Sequence, residues 1–341
     1  MKRPTISDIA AECGVSLSTV SLVLNNNPRI SEATREKVWK AVEKFSYYPN
    51  VQARGLAMCA SQVLSVVVPN LRHVFSDIYF GEIISGIYDA ATQANCKVIL
   101  DIANEKFVER HEHMSLLKSR RVDGMLFIAS SVEHEYLFDF EKTSYPFMLV
   151  NHYFPGHSLN YIVFDYNQSG RISAEHLLGL GHRSIGIITG LNTYTGRSLS
   201  ESFRTTCIGA GLSEKDLPLT DCGPEWSEGA GEEAARRLVE ANPSITALMC
   251  GNDRMAIGAL RYLHTRGIRV PEQMSVIGMD DIPRATYTTP GLTTIHHSLY
   301  EIGRLACERL LSLFRGEIKT CSEVLPVNLV VRESTATPAS R

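Results

Sequence analysis

The chain predicts an α/β protein in which a three-helix helix-turn-helix headpiece precedes a core of two doubly wound parallel sheets. Three observations carry this. Residues 5–57 hold short amphipathic segments punctuated by capping residues. From Val63 onward, continuous β-branched runs alternate with helical periodicity, as expected of parallel strands buried on both faces. The alternation occurs in two series, and two series make two lobes whose ligands belong at the carboxyl ends of the strands.

Taking the elements in order, Thr5 can cap a first helix with Asp8 three residues on, and Ile6, Ile9 and Ala10 form its apolar face. Gly14 breaks it. Ser16 is placed to cap a second helix that turns Val20, Val23 and Leu24 inward and leaves Leu17, Ser18, Thr19, Ser21, Leu22 and Asn25 outside. Ser31 caps a third, with Val38, Ala41, Val42 and Phe45 closing the core. Two helices joined by a tight Gly-containing turn lay the second in a DNA major groove, although three-helix domains also dock proteins. Pro49 forbids continuing the third helix, and Asn50 can start another through Val51, Gln52, Ala53 and Leu56. So short a helix, with Gly55 inside it, is unstable alone in water; a plain flexible linker is the other reading.

The 341 residues, 44% hydrophobic and 21% charged, suit a soluble globular protein of two or three domains. Its net charge of −3 is uneven. Residues 1–61 carry eight basic against five acidic side chains, a local +3, which leaves −6 for the remainder. A basic end suits phosphate contact. Met1-Lys2-Arg3-Pro4 leads into no apolar run and no segment approaches a membrane span, so no membrane partner and a cytoplasmic location are expected. The eight cysteines show no C-x-x-C spacing and are expected as reduced thiols.

In the core the strands read VLSVVVP, KVILDIA, GMLFIAS and PFMLVNH, with helices over 79–95 and 105–119. The second series reads IGIITG, ITALMCG and MSVIGMD, with helices over 200–209, 228–240 and 255–265. Three motifs are set aside. Gly179-Leu180-Gly181 lacks the third glycine of a dinucleotide fingerprint. His111-Glu112-His113 has a spacing that sends its imidazoles to different sides of a helix, so no metal is expected there. His296-His297 falls at a crossover between lobes, where one imidazole could answer to pH. No nucleophile and base converge, so neither catalysis nor a cofactor is expected, although a carboxylate such as Asp280 could in principle do acid–base work.

The residues Thr5-Ile6-Ser7-Asp8-Ile9-Ala10, Gly14-Val15-Ser16, Thr19-Val20-Ser21, Asn25, Thr34-Arg35-Glu36-Lys37-Val38 and Tyr48-Pro49-Asn50 resemble the DNA-binding headpiece of the lac repressor/galactose repressor family of bacterial transcription factors. Gly181-His182-Arg183, Asn252-Asp253, Gly278-Met279-Asp280-Asp281 and Val331-Arg332-Glu333-Ser334-Thr335 resemble that family's core, which is similar to periplasmic binding proteins. The resemblance implies a headpiece over 1–46 and a hinge over 47–61. The core follows over 62–335, with lobe 1 at about 62–162 and 297–323, lobe 2 at about 163–296 and 324–335, and a short tail at 336–341. It implies DNA contact by Thr5, Ser16, Leu17, Ser18, Thr19, Ser21, Leu22, Asn25, Arg29, Tyr47, Asn50, Ala53, Arg54 and Leu56, the last as a minor-groove wedge. Effector contact falls to Phe75, Tyr79, Asn151, Arg197, Trp226, Asn252 and Asp280.

The expected partners are a pseudo-palindromic double-stranded operator, a small-molecule effector of carbohydrate type and a second copy of the chain, as a homodimer without a tetramerising tail. The implied function is an allosterically controlled repressor. A small-molecule sensor without DNA activity is the alternative, and it would have no use for residues 5–57. Two departures from the family stand out. Leu22 occupies the place of a guanine-reading arginine, which turns readout toward a thymine methyl or shape. Leu199 occupies the place of a sugar-binding arginine, so the effector is less polar, differently held or not a sugar, with Arg197 able to reach over. Asp253 reads more readily as a helix cap than as a ligand, Trp226 equally as packing or stacking, and Asp281 as serving the turn before Pro283.

Overall fold

The computed structural model of the protein describes residues 4–24, 27–47, 61–71, 74, 77–131 and 133–339. The chain forms two compact units, residues 1–61 and residues 62–341. In the first, Thr5 and Asp8 form a capping box at the start of α1 (Ile6–Cys13), with the Thr5 N–H donating to Asp8 Oδ2 at 2.7 Å. Gly14, at a left-handed φ of 61°, closes the helix where a side chain would be strained. Ser16 Oγ accepts from the Thr19 N–H at 3.1 Å and starts α2 (Leu17–Leu24), which meets α1 at 105°. Ser31 likewise caps α3 (Glu32–Lys44). Ile9, Cys13, Val20, Val23, Val38 and Val42 bury into one small core, while Ile6, Leu24 and Phe45 reach it only in part.

The second unit holds two six-stranded sheets. The first is ordered β2 (Lys97–Ala103), β1 (Val63–Pro69), β3 (Gly124–Ile128), β4 (Phe147–Val150), β5 (Tyr161–Phe164) and β11 (Ser322–Leu325), all parallel. The second is ordered β7 (Leu219–Asp221), β6 (Ile185–Thr189), β8 (Ala247–Cys250), β9 (Ser275–Asp280), β10 (Thr293–His296) and β12 (Asn328–Val330). Only β12 runs antiparallel. Side chains alternate across each sheet, so Val66 and Val68 face one layer and Val67 the other. In the first lobe those layers are α4 (Ile78–Gln93) with α11 (Leu299–Phe314), and α5 (Glu105–Glu109), α6 (Glu112–Lys118) with a 3-10 segment over Glu135–Lys142. In the second lobe they are α7 (Tyr166–Gly179) with α8 (Tyr194–Gly209), and α9 (Glu228–Ala241) with α10 (Asp253–Thr265). No single described helix is long and apolar enough to cross a membrane.

The chain passes between lobes after Phe164, after His296 and after Leu325, slightly later than the 162 and 323 expected at the first and third crossings. The helix pairs meet backbone to backbone at glycines. A Cβ on Gly303 would stand 2.0 Å from the Ile83 carbonyl oxygen, and one on Gly258 would stand 1.9 Å from that of Glu228.

Three local expectations are corrected. The helix expected from residue 200 begins at Tyr194, because Thr193 Oγ1 accepts from the Gly196 N–H at 3.1 Å and caps a turn that its glycine makes look like loop. The helix expected from residue 255 begins at Asp253 and is capped by Asn252, not Asp253. The helix expected over 105–119 is two, broken at His111, whose left-handed φ of 46° takes it off the helical lattice. The rule that sent His111 and His113 to opposite sides therefore does not apply, and both imidazoles meet one carboxylate, that of Asp139.

Candidate functional site

In the first unit, burial of Val20 and Val23 turns the opposite face of α2 to solvent. That face carries Ser16, Leu17, Ser18, Ser21 and Leu22, with Thr19 at its margin, and Thr5 and Arg29 are exposed as well. Tyr47 is half-buried against the core. The Ser16 hydroxyl lies 2.7 Å from that of Ser18 and 2.8 Å from that of Thr19, a cluster of groups that donate and accept. Leu17 and Leu22 are 50% and 38% exposed, so neither is buried in the headpiece core. Asn25, Asn50, Ala53, Arg54 and Leu56 lie outside the described residues.

In the second unit, the segments that follow the carboxyl ends of the two sheets meet. Asp77, the cap of α4, pairs with Arg254 of α10, which also donates to Glu228 at 2.7 Å. Burial alone would depress the Arg254 guanidinium, but the carboxylates of Glu228 and Asp77 outweigh it and hold it above its ordinary value. Tyr153, after β4, hydrogen-bonds Ser198 of α8 at 2.9 Å. The Tyr194 ring stands 5.9 Å from that of Phe154 and 6.2 Å from that of His152.

Between these contacts lies a polar cluster. Asn151 Nδ2 donates to the hydroxyls of Tyr79 at 2.7 Å and Tyr166 at 2.8 Å. Burial pushes both phenols up, and the nearby charge of Asp280 adds to the rise. Asp280 ends β9 almost wholly buried, and its carboxyl is raised well above the usual range by burial and then by Asp77. His297, at the second crossing, stacks on Phe164 at 4.4 Å and reaches Ser169 Oγ at 3.3 Å. Its Nδ1 lies 3.3 Å from Asp280 Oδ1 without hydrogen-bond alignment.

Two features mark this region as more than packing. Asn151, Asp280 and Asp281 hold φ of 56°, 102° and 53° at strand ends, and left-handed backbone in such residues costs about 1–3 kcal/mol each. Among the described residues six buried side-chain polar atoms have no hydrogen-bond partner, and five of them sit just at strand ends: Asn151 Oδ1, both His152 nitrogens, Thr189 Oγ1 and His297 Nδ1. Buried groups of this kind take ordered water or a bound molecule as partner.

The structure thus brings Tyr79, Asn151 and Asp280 together. It does not bring Arg197 to them: that side chain donates to the Leu191 carbonyl at 2.7 Å and lines an open depression with Glu201 and Arg204 on the outside of α8. Leu199 is buried in the core. Trp226 packs, its indole lying against Gly190, Gly196 and Gly251, where a Cβ would stand 2.6–3.1 Å from ring atoms, and its Nε1 donates to Asn192 at 3.2 Å. Asn252 has both ends of its amide engaged, accepting from the Met255 N–H and donating to the Trp226 carbonyl. Asp253 accepts from the Ile282 N–H and the Thr294 hydroxyl, and Asp281 pairs with Arg332 and His296, so neither plays the local part expected. Phe75 lies outside the described residues. Tyr166, His152, Thr189 and the pair Asp77–Arg254 were not singled out from the sequence.

His152 offers a test of this burial. Its imidazole is fully enclosed, and burial, with the charge of His134, pushes it down to about 3. The unfolded chain binds that proton near pH 6.5, so the stabilisation is lost as pH falls below that value. Relative to a His152→Leu variant, wild type should lose about 2 kcal/mol between pH 7 and pH 5. Urea unfolding of both proteins at both pH values checks this, and parallel losses would refute it.

Comparison with known proteins matches residues 5–50 to the family described as bacterial regulatory proteins, lacI family, and residues 174–335 to a periplasmic binding protein-like domain. The HTH-type transcriptional repressor PurR of Haemophilus influenzae is 33% identical over 314 residues, covering 90% of each chain. A crystal structure of the lac repressor dimer bound to operator and the anti-inducer ONPF superposes with a TM-score of 0.85 at 28% identity, covering 98% of this chain and all of that one. A complex of the transcriptional regulator CelR with cellobiose superposes at 0.73 and 27% identity, covering 97% of this chain and all of that one.

Proposed function

Because this chain belongs to the lacI family of bacterial regulatory proteins and is a DNA-binding transcriptional regulator, we propose that it acts as a dimeric repressor whose affinity for a pseudo-palindromic operator is set by a carbohydrate held between its lobes. The observation that carries the ligand part is the set of five unpartnered polar atoms at strand ends, among them that of Asn151, whose amide meets the hydroxyls of Tyr79 and Tyr166. Vicinal hydroxyls donate and accept together, and they suit amide, imidazole and hydroxyl partners. The lac repressor and CelR structures, solved with an operator and with cellobiose, support the same assignment.

The self-association part rests on β2, an edge strand that leaves Ile99, Leu100 and Ile102 exposed. An uncovered apolar edge invites pairing, and a two-fold operator needs two headpieces. Ligand and operator then influence each other reciprocally, by about 1–3 kcal/mol in typical cases.

Selection of the purified protein against random duplexes, with and without a panel of mono- and disaccharides, tests the reading. Enrichment of a pseudo-palindrome whose yield changes with one sugar supports it. Enrichment that no sugar alters removes the ligand part, and recovery of no site under any condition removes the operator part. Within the enriched site, a Leu22→Arg variant should prefer guanine where wild type does not, by about tenfold, since arginine reads guanine O6 and N7 with two hydrogen bonds. An unchanged site would show that Leu22 does not face a base edge.

A further inference from the structure

On the outer layer of the first lobe, away from the strand ends, three side chains converge that the regulatory reading leaves without a role. His111 Nδ1 lies 3.0 Å and His113 Nε2 3.2 Å from the same oxygen of Asp139, and the three donor atoms all lie within 4.8 Å of one another. They come from three places, His111 from the break between α5 and α6, His113 from the first turn of α6 and Asp139 from the 3-10 segment before β4. His111 stands at the start of α6 in a left-handed conformation yet makes no capping bond, so that backbone serves to turn its imidazole toward Asp139. His113 is fully buried among the rings of Phe107, Tyr136 and Phe140, which fixes its direction, whereas His111 and Asp139 border solvent and can adjust.

We propose that His111, His113 and Asp139 bind a divalent transition-metal ion. Tetrahedral zinc, with ligands at about 2.0–2.1 Å, separates its donors by about 3.3 Å, so the two spacings to Asp139 need shifts of a few tenths of an ångström, and the two imidazole nitrogens, within 4.8 Å of each other, close by up to about 1.5 Å through rotation of the exposed His111. Two imidazoles and a carboxylate favour zinc, cobalt or nickel over calcium and magnesium, which take oxygen ligands, and over copper(I), which takes sulfur. One anchored ligand and two at the surface leave a further coordination position toward water. The ion would join the α5–α6 connection to the turn before β4, two parts of one layer otherwise held by apolar contacts.

The test is titration of the reduced full-length protein with zinc by calorimetry, and with cobalt(II) by absorption. The expected result is one zinc per chain, weakened at least about tenfold in both His111→Ala and Asp139→Asn, whose side chains are exposed enough to be changed without unfolding the lobe. Circular dichroism of each variant verifies the fold. Cobalt bound at the same stoichiometry should lack the near-ultraviolet charge transfer of thiolate ligands. Absence of saturable zinc binding would overturn the proposal, as would binding that both variants retain or a thiolate signature from the cysteines.

Discussion

A Gly303→Ala protein should lose about 3 kcal/mol of stability in the core unit, seen as a fall of roughly 6 °C in its calorimetric midpoint. Gly303 is where α11 crosses α4, and the added methyl would stand 2.0 Å from the Ile83 carbonyl oxygen and 2.9 Å from its carbon. Both are backbone atoms, so no side-chain rotation relieves the contact and the helices must part. Their separation uncovers Ile83, Ile87, Ile302 and Ala306, which fill the layer between them and the sheet. Gly81 in α4 supplies the control. A Cβ there meets nothing within 4 Å, so Gly81→Ala should be neutral or stabilise by up to about 1 kcal/mol through helix propensity. Equal effects at the two positions would mean that the close crossing does not determine stability.

The second large effect is expected at Arg254. Replacing it with methionine keeps the aliphatic stem but leaves Asp77, mostly shielded, without the cation it pairs with, while Glu228 keeps Arg284 at 2.8 Å. Fully buried pairs broken in this way lose about 3–5 kcal/mol and exposed ones up to about 1, which places this site near 2–3 kcal/mol. Because Asp77 belongs to one lobe and Arg254 to the other, much of that loss should appear as parting of the lobes rather than as unfolding within either. Small-angle scattering should therefore show a larger radius of gyration for Arg254→Met than for wild type. In a double-mutant cycle with Asp77→Asn, the two changes should be non-additive. Additive changes with an unchanged radius would assign Arg254 to lobe 2 alone.

What the sequence displayed and what it hid divide along the distance between interacting residues. Thr5 with Asp8, and Ser31 with Thr34, act within one turn, and the caps stand where local chemistry put them. Runs such as Val66-Val67-Val68 are strands because both faces of the sheet are covered, and their composition announces it. By contrast, Asp77 and Arg254 are 177 positions apart, and neither neighbourhood hints at the other. The start of α8 was hidden because Thr193-Tyr194-Thr195-Gly196 has loop-like composition, while Gly196 is needed for contact with Gly190 and Trp226. His111 misled for a different reason. A two-residue spacing has meaning only if both residues share one helix, and its left-handed φ removes it from that helix. Of the residues nominated for the ligand, Tyr79, Asn151 and Asp280 follow from the rule that strand ends bind ligands. Arg197 was nominated by reach alone, and reach does not specify direction.

The three passages of the chain between lobes also govern when the protein can fold as it is made. The first sheet is incomplete until β11 arrives at residues 322–325, and the second until β12 at 328–330, although their first strands emerge at Val63 and Ile185. At ribosomal speeds of about 5–20 residues per second, the first lobe waits roughly 15–50 s between its first strand and its last, and the edge at β5 stays uncovered for roughly 8–30 s of that time. The headpiece has no such dependence. A nascent chain would therefore carry its finished α1–α3 unit well before either lobe could close, and the growing core is the part exposed to chaperones and misassembly.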